Sequence, residues 1–225
     1  MTSLRKTALV AGVFYLLTFV SIPTLALYGA VRGPNYILGP GPDTPVILGV
    51  LLEMIVALAG IGTAVALYPV VRRQGEARAL AFVGSRVLEA ATIYVGIVSL
   101  MSIVTLRRAG AGTGALVTGQ ALAAQYQWTF FFAQSFIPAV NGVLLGSLLY
   151  QSRLVPRWLP VLGFIGAALL VATWFAIMVG FIGAVSPVAL VAALPIAVWE
   201  FSLGVYLTIW GFRASPITAG RDGFV

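Results

Sequence analysis

The chain has 225 residues, 60% of them apolar and only 8% charged, with a formal charge of +7 and neither cysteine nor histidine. A soluble domain carries about 25% charged residues, and no water-facing fold could hide this much apolar surface, so the solvent must be the bilayer. The missing side chains exclude disulfides, thiol nucleophiles, axial haem histidines and most zinc sites; chemistry falls to carboxylates, arginine, tyrosine, hydroxyls and amides, and neither a cofactor nor a metal is expected.

Met1–Lys6 is a short basic lead. The apolar run 7–31 is long enough to cross a core about 30 Å thick, whereas the apolar part of a signal peptide is about 7–15 residues, so a retained first helix is expected. Arg32–Thr44 (RGPNYILGPGPDT) reads as a stiff Pro/Gly loop. Pro45 suits the first turn of a second helix, 45–71. The basic loop Arg72–Arg78 precedes a third helix, 79–106. Arg107–Gln120 is a Gly/Ala-rich loop; its GAGTG stretch resembles a phosphate loop in composition only, because no strand precedes it. A fourth helix is expected over 121–150, a fifth over 158–183 and, after a short turn at 184–187, a sixth over 187–212, with a polar tail from Arg213.

The expected fold is therefore all-α: one transmembrane domain over residues 1–225, a bundle of six transmembrane helices with both termini cytoplasmic. In that orientation the inner segments hold Arg5, Lys6, Arg72, Arg73, Arg78, Arg153, Arg157, Arg213 and Arg221, and the outer ones hold Arg32, Arg107 and Arg108. This is a positive-inside bias, with Trp158 and Trp210 near the inner interface. The cations lie between apolar runs as topology signals, so a nucleic-acid partner is not expected. A multi-pass membrane protein is expected (of the bacterial cytoplasmic, inner, membrane by the family resemblance described below), with membrane lipid and a hydrophobic small molecule as partners and room for a homo-oligomer. No internal repeat is evident.

Ionisable groups inside the spans are the functional candidates. Arg86 and Glu89 lie three positions apart on one face of the third helix, with Glu53 deep in the second and Glu200 deep in the sixth. If all are ionised, three carboxylates outnumber one guanidinium, at a cost of several kcal/mol per bare ion. At least one of Glu53, Glu89 and Glu200 is therefore expected to be protonated at neutral pH or to bind a cation. Gly49 and Gly60 allow close helix approach near Glu53. The fourth helix carries Gln127, Gln134 and Asn141 at intervals of seven, on one stripe, with Pro138 set to bend the backbone beside them. A purely structural reading stands beside each: Arg86–Glu89 as a packing pair, the amide stripe as interhelical glue.

Several stretches resemble the bacterial membrane proteins grouped as "domain of unknown function 4386". They are Ala11-Gly-Val-Phe-Tyr-Leu-Leu17, the second helix with Glu53, Arg86-Val-Leu-Glu89, Leu154-Val-Pro-Arg157 and Trp199-Glu-Phe-Ser-Leu203. The resemblance runs through nearly the whole chain and implies a six-helix membrane domain with no settled activity. The fourth helix of that family often carries a histidine; here Gln134 lies in the comparable region, which speaks against a His-dependent metal role. In length, and in an early and a late acidic residue, the chain is also similar to the small integral-membrane terpene cyclases, a likeness that points to Glu53 and Glu200.

Two functions of different class follow. One is an intramembrane acid/base enzyme, a cyclase or isomerase of an isoprenoid or lipid-like substrate, with Glu53, Glu200, Glu89 and Arg86 as catalytic candidates. Gln134, Asn141, Tyr94, Trp128 and Trp199 would line its substrate site, with Phe132 and Trp174 as further aromatic walls. The other is a small proton-coupled transporter, for which a dimer would be expected. A non-catalytic accessory protein is the remaining alternative.

Overall fold

The computed structural model describes residues 2–33, 35–184 and 186–219. The expected Arg221 lies outside the described residues. The described residues form helices α1 (Ser3–Leu17), α2 (Thr24–Leu27), α3 (Thr44–Val71), α4 (Glu76–Arg108), α5 (Leu116–Phe131), α6 (Ile137–Ser152), α7 (Trp158–Met178) and α8 (Pro187–Ile209). Among the described residues six helical segments are long and apolar enough to cross a membrane: Ser3–Leu27, Thr44–Val71, Glu76–Arg108, Gly112–Ser152, Trp158–Met178 and Pro187–Ile209.

The first span is not the continuous helix the sequence suggests. α1 gives way to a 3-10 turn at Thr18–Ser21, and Pro23, lacking an N–H, separates that turn from α2. The Thr18 and Thr24 hydroxyls donate to the Tyr15 and Ser21 carbonyls beside the break. The fourth span is also interrupted. A π-turn at Phe132–Phe136 joins α5 to α6 immediately before Pro138, whose ring and missing N–H disturb the regular ladder onto Gln134. α4 begins at Glu76, earlier than expected, and continues through Arg107 and Arg108 to their favourable place at a helix C-terminus. α7 stops at Met178, short of 183, ahead of Gly180 in the left-handed region (φ 78°).

The spans close into a ring. α3 packs on α4, α4 on α5 and α6, α6 on α7, α7 on α8, α8 on α1 and α1 on α3. Lipid tails are as apolar as the helices, so close packing must hold them together, and small residues make it feasible. A Cβ on Gly166 of α7 would lie 2.5 Å from the backbone N of Ile196 on α8, and one on Gly12 of α1 would lie 2.7 Å from the Gly204 carbonyl oxygen on α8. Apolar side chains such as Leu58, Val98 and Val191 are left exposed on the lipid-facing surface.

Both ends are tied by arginine. Arg5 donates to the carbonyls of Leu207 (2.9 Å), Thr208 (2.6 Å) and Ile209 (3.0 Å), filling acceptors left open where α8 ends. At the opposite end Asp43 accepts from Tyr36 Oη (2.7 Å) and Arg108 Nε (2.7 Å) and pairs with Arg107, pinning the Pro/Gly loop to the end of α4. Burial works to raise the Asp43 carboxyl, but the bonds from Arg108, Tyr36 and Arg107 outweigh it and hold it at about 2. A depressed folded value stabilises the tether above the ordinary value of 3.8, and that stabilisation is lost as pH falls toward about 2. Protection of Tyr36–Leu38 against hydrogen exchange, relative to the unstructured rate at each pH, is therefore expected to fall between about pH 4 and pH 2, and to be low already at neutral pH in Asp43→Asn. In thermal unfolding, Gly166→Ala is expected to cost about 1–3 kcal/mol by wedging α7 from α8. Gly84→Ala, where a Cβ meets nothing, is expected to be neutral or to gain about 0.5–1 kcal/mol.

Candidate functional site

The ionisable groups of the spans fall into two centres. The first is built around Arg86 of α4, which is 3% exposed. Its Nη1 donates to Glu89 Oε2 (2.9 Å) and its Nη2 to Glu200 Oε1 on α8 (2.9 Å) and Tyr15 Oη on α1 (3.3 Å). Asn141 Nδ2 on α6 donates to the same Glu89 oxygen (2.7 Å). The guanidinium carbon lies 5.4 Å from the Tyr15 ring centre and 5.7 Å from that of Phe82. Gly60 of α3 faces the arginine, and a Cβ there would stand in ordinary contact at 3.8 Å from Arg86 Cδ. One arginine thus gathers groups from four helices beside a fifth. With both carboxylates ionised the centre carries one net negative charge, spread over donors from Arg86 and Asn141.

Glu53 is not part of that centre. It lies seven residues before Gly60 on α3, about 10 Å along the helix at 1.5 Å per residue, and is 4% exposed. Its Oε1 accepts from Tyr126 Oη of α5 (2.8 Å). The Tyr28 and Tyr126 rings meet edge to face at 5.3 Å. Glycines make room for both tyrosines: a Cβ on Gly49 would lie 2.3 Å from the Tyr28 ring, and one on Gly96 would lie 3.2 Å from that of Tyr126. A water-sized void of about 10 Å³ lies against Glu53, Tyr126, Thr129 and Gln134. Tyr126 also lines a cavity of about 360 Å³ with Leu25, Arg32, Gln120, Gln127 and Phe130. The Arg32 guanidinium stacks over the Tyr126 and Phe130 rings at 5.6 and 6.0 Å.

Of the residues singled out in the sequence, Arg86, Glu89, Glu200 and Asn141 come together. Glu53 and Gln134 meet elsewhere, at the small void. The amide stripe splits into three environments because the π-turn adds to the repeat between Gln127 and Asn141: Gln127 faces the larger cavity, Gln134 the void and Asn141 the arginine centre. Trp199 is fully buried against Gly163, whose Cβ would lie 2.7 Å from the indole. Trp174 packs on Phe132 and Phe136. Trp128 is 48% exposed, and Tyr94 lines a separate surface recess. Tyr15, Tyr28, Tyr126 and Arg32 were not singled out. Tyr15 lies in the Ala11–Leu17 stretch and Tyr126 beside Gln127, but a tyrosine among membrane aromatics announces no role until its hydroxyl partner is known. Among the described residues no group of three or more His, Cys, Asp or Glu could hold a metal ion.

The family model described as "Domain of unknown function (DUF4386)" matches residues 10–211. The chain belongs to this family. No curated protein and no solved structure matches it. The DUF4386 match takes in every residue of both centres, from Tyr15 to Glu200. The two acidic positions that prompted the likeness to membrane terpene cyclases, Glu53 and Glu200, share no hydrogen-bond partner and no cavity among the described residues.

Removing Arg86 leaves two carboxylates uncompensated inside the bundle. Arg86→Met is therefore expected to cost about 3–5 kcal/mol in thermal or denaturant unfolding. Adding Glu89→Gln and Glu200→Gln to it should restore most of the loss, because the bare charges go with the arginine.

Proposed function

We propose that this chain is an intramembrane acid/base enzyme, a cyclase or isomerase acting on an isoprenoid or other lipid-like substrate, with Glu53 and Tyr126 as the proton-handling pair. The observation that carries this reading is the double position of Tyr126: its hydroxyl donates to buried Glu53 at 2.8 Å, and the residue also lines the cavity of about 360 Å³. That volume falls at the small end of ligand pockets, which run about 300–1,000 Å³. Tyr126 would give its proton to one alkene carbon of the substrate as protonated Glu53 replaces it on the tyrosine oxygen, leaving positive charge on the substrate. Loss of a proton from another carbon back through Tyr126 to Glu53 shifts a double bond or closes a ring, with no net proton change and no redox partner. Phe130 and Phe131 at the cavity wall would shelter positive charge developing on the substrate.

In this reading Arg86, Glu89, Glu200 and Asn141 act as the tie that holds α1, α4, α6 and α8 around the site. The charge distribution supports an orientation. The end holding the first residues of α1 and the end of α8 also carries Arg5, Lys6, Arg72, Arg73, Arg78, Arg153, Arg157 and Arg213, against Arg32, Arg107 and Arg108 at the other. Both termini then face the cytoplasm of a bacterial cell, and the cavity opens near the outer face of its cytoplasmic membrane.

Extracts of cells expressing wild type and Glu53→Gln at matched levels should differ in untargeted mass spectrometry. The expected result is a compound present only with wild type, isomeric with one that accumulates in the variant. Identical extracts would refute the acid/base reading.

A further inference from the structure

Arg32, Arg107 and Arg108 lie at the end of the bundle opposite the start of α1, and two of them share one aspartate. Asp43 pairs with Arg107 and Arg108. Arg32 has no ion-pair partner among the described residues. Arg32 is exposed, and its guanidinium stacks over Tyr126 and Phe130 at the wall of the 360 Å³ cavity. Two amides, Gln120 and Gln127, line the same cavity two turns apart on α5, and the remaining wall is Leu25, Ala123, Ala124, Phe130, Phe131 and Ala184 beside Tyr126. Leu25, Ala124 and Gln127 are exposed, so the cavity opens on the flank of the bundle.

A cation with neighbouring amide donors recognises an oxyanion, and the planar guanidinium suits a phosphate or carboxylate through two parallel hydrogen bonds. The apolar and aromatic wall recognises a hydrocarbon chain. We infer that the cavity binds a single-chain amphiphile with an anionic head, phosphate or carboxylate. The head sits at Arg32 between Gln120 and Gln127, and the first carbons of the tail lie along Leu25, Phe130 and Phe131 beside Tyr126. This assignment names the substrate class of the site proposed above and rests on that reading for its catalytic meaning, though the binding can be measured without it. The volume seats a head and the start of a tail, and the rest of the chain runs out along the lipid-facing flank.

The test is binding to the full chain in phosphatidylcholine nanodiscs, with dodecyl phosphate, dodecanol and inorganic phosphate as probes. Dodecyl phosphate is expected to bind wild type, with Arg32→Gln weakening it about tenfold or more and Arg32→Lys recovering most of the affinity. Dodecanol and inorganic phosphate are expected to bind at least about tenfold more weakly than dodecyl phosphate, since each offers half of the recognition. Equal binding of dodecanol, or an Arg32→Gln variant that unfolds at the wild-type temperature and binds undiminished, would overturn the anionic head. Inorganic phosphate binding as tightly as dodecyl phosphate would overturn the amphiphile in favour of a free-anion site. Glu53→Gln separates this inference from the enzymatic one. Retained dodecyl phosphate binding with lost conversion supports both. Retained binding in both proteins with unchanged extracts refutes catalysis and leaves the amphiphile site standing. No dodecyl phosphate binding by wild type overturns the amphiphile site whatever the extracts show.

Discussion

A guanidinium shared between two carboxylates inside a bilayer is the constraint on which this fold depends. Arg86 cannot leave Glu89 and Glu200 without stranding charge where water cannot reach it, so α4 and α8 are held at hydrogen-bond distance. Tyr15 and Asn141 extend the same contact to α1 and α6. The rest of the packing serves that approach. Gly12 and Gly204 let α1 meet α8, and Gly163 and Gly166 let α7 lie against Trp199 and Ile196. Lipid supplies no hydrophobic drive between helices, so this polar knot and the glycine contacts around it decide which helices are neighbours.

Because the knot consumes Arg86, Glu89 and Glu200, it leaves Glu53 as the buried carboxyl without an ion-pair partner among the described residues. Glu53 is instead addressed by a tyrosine hydroxyl. Breaks in the helices shape its surroundings. The interruption at Pro23 lets α2 and the following turn bring Tyr28 against Tyr126 and Arg32 over it. The π-turn before Pro138 puts Gln134 at the void beside Glu53 while Asn141 goes to Glu89. A regular first helix and a regular fourth helix would provide neither arrangement. Irregular backbone at membrane depth is tolerated where it is buried in protein or borders a cavity, and both breaks fit that rule.

Much of this was legible in the chain, for physical reasons. Long apolar runs with charges confined between them admit few arrangements other than a helical bundle, and the described residues hold six helices long and apolar enough to span. Arg86 and Glu89 were readable as partners because i,i+3 spacing on a helix fixes their proximity. Glu200 joining them, and Glu53 staying apart, were not readable, because each depends on how a helix is rotated about its axis and that rotation is decided by packing. Pro23 is the signal that breaks the first run: a proline inside an apolar stretch costs a helix its ladder, and the length of the run 7–31 alone does not show it. The seven-residue amide spacing misled for a related reason, since a π-turn alters the period that turns spacing into a shared face. Arg32 read as a loop cation, and only the cavity beneath it gives it another meaning.

In the function proposed above, the two buried polar centres divide their work, one holding the bundle and the other moving protons. The most direct measurement removes a single oxygen from each, Tyr15→Phe and Tyr126→Phe, and follows both the unfolding temperature and the product-to-precursor ratio in cell extracts. Tyr126→Phe is expected to lose conversion even in its folded fraction, and Tyr15→Phe to melt lower while its folded fraction still converts. Loss of conversion in Tyr15→Phe at an unchanged melting temperature, or full conversion in Tyr126→Phe, would contradict this division.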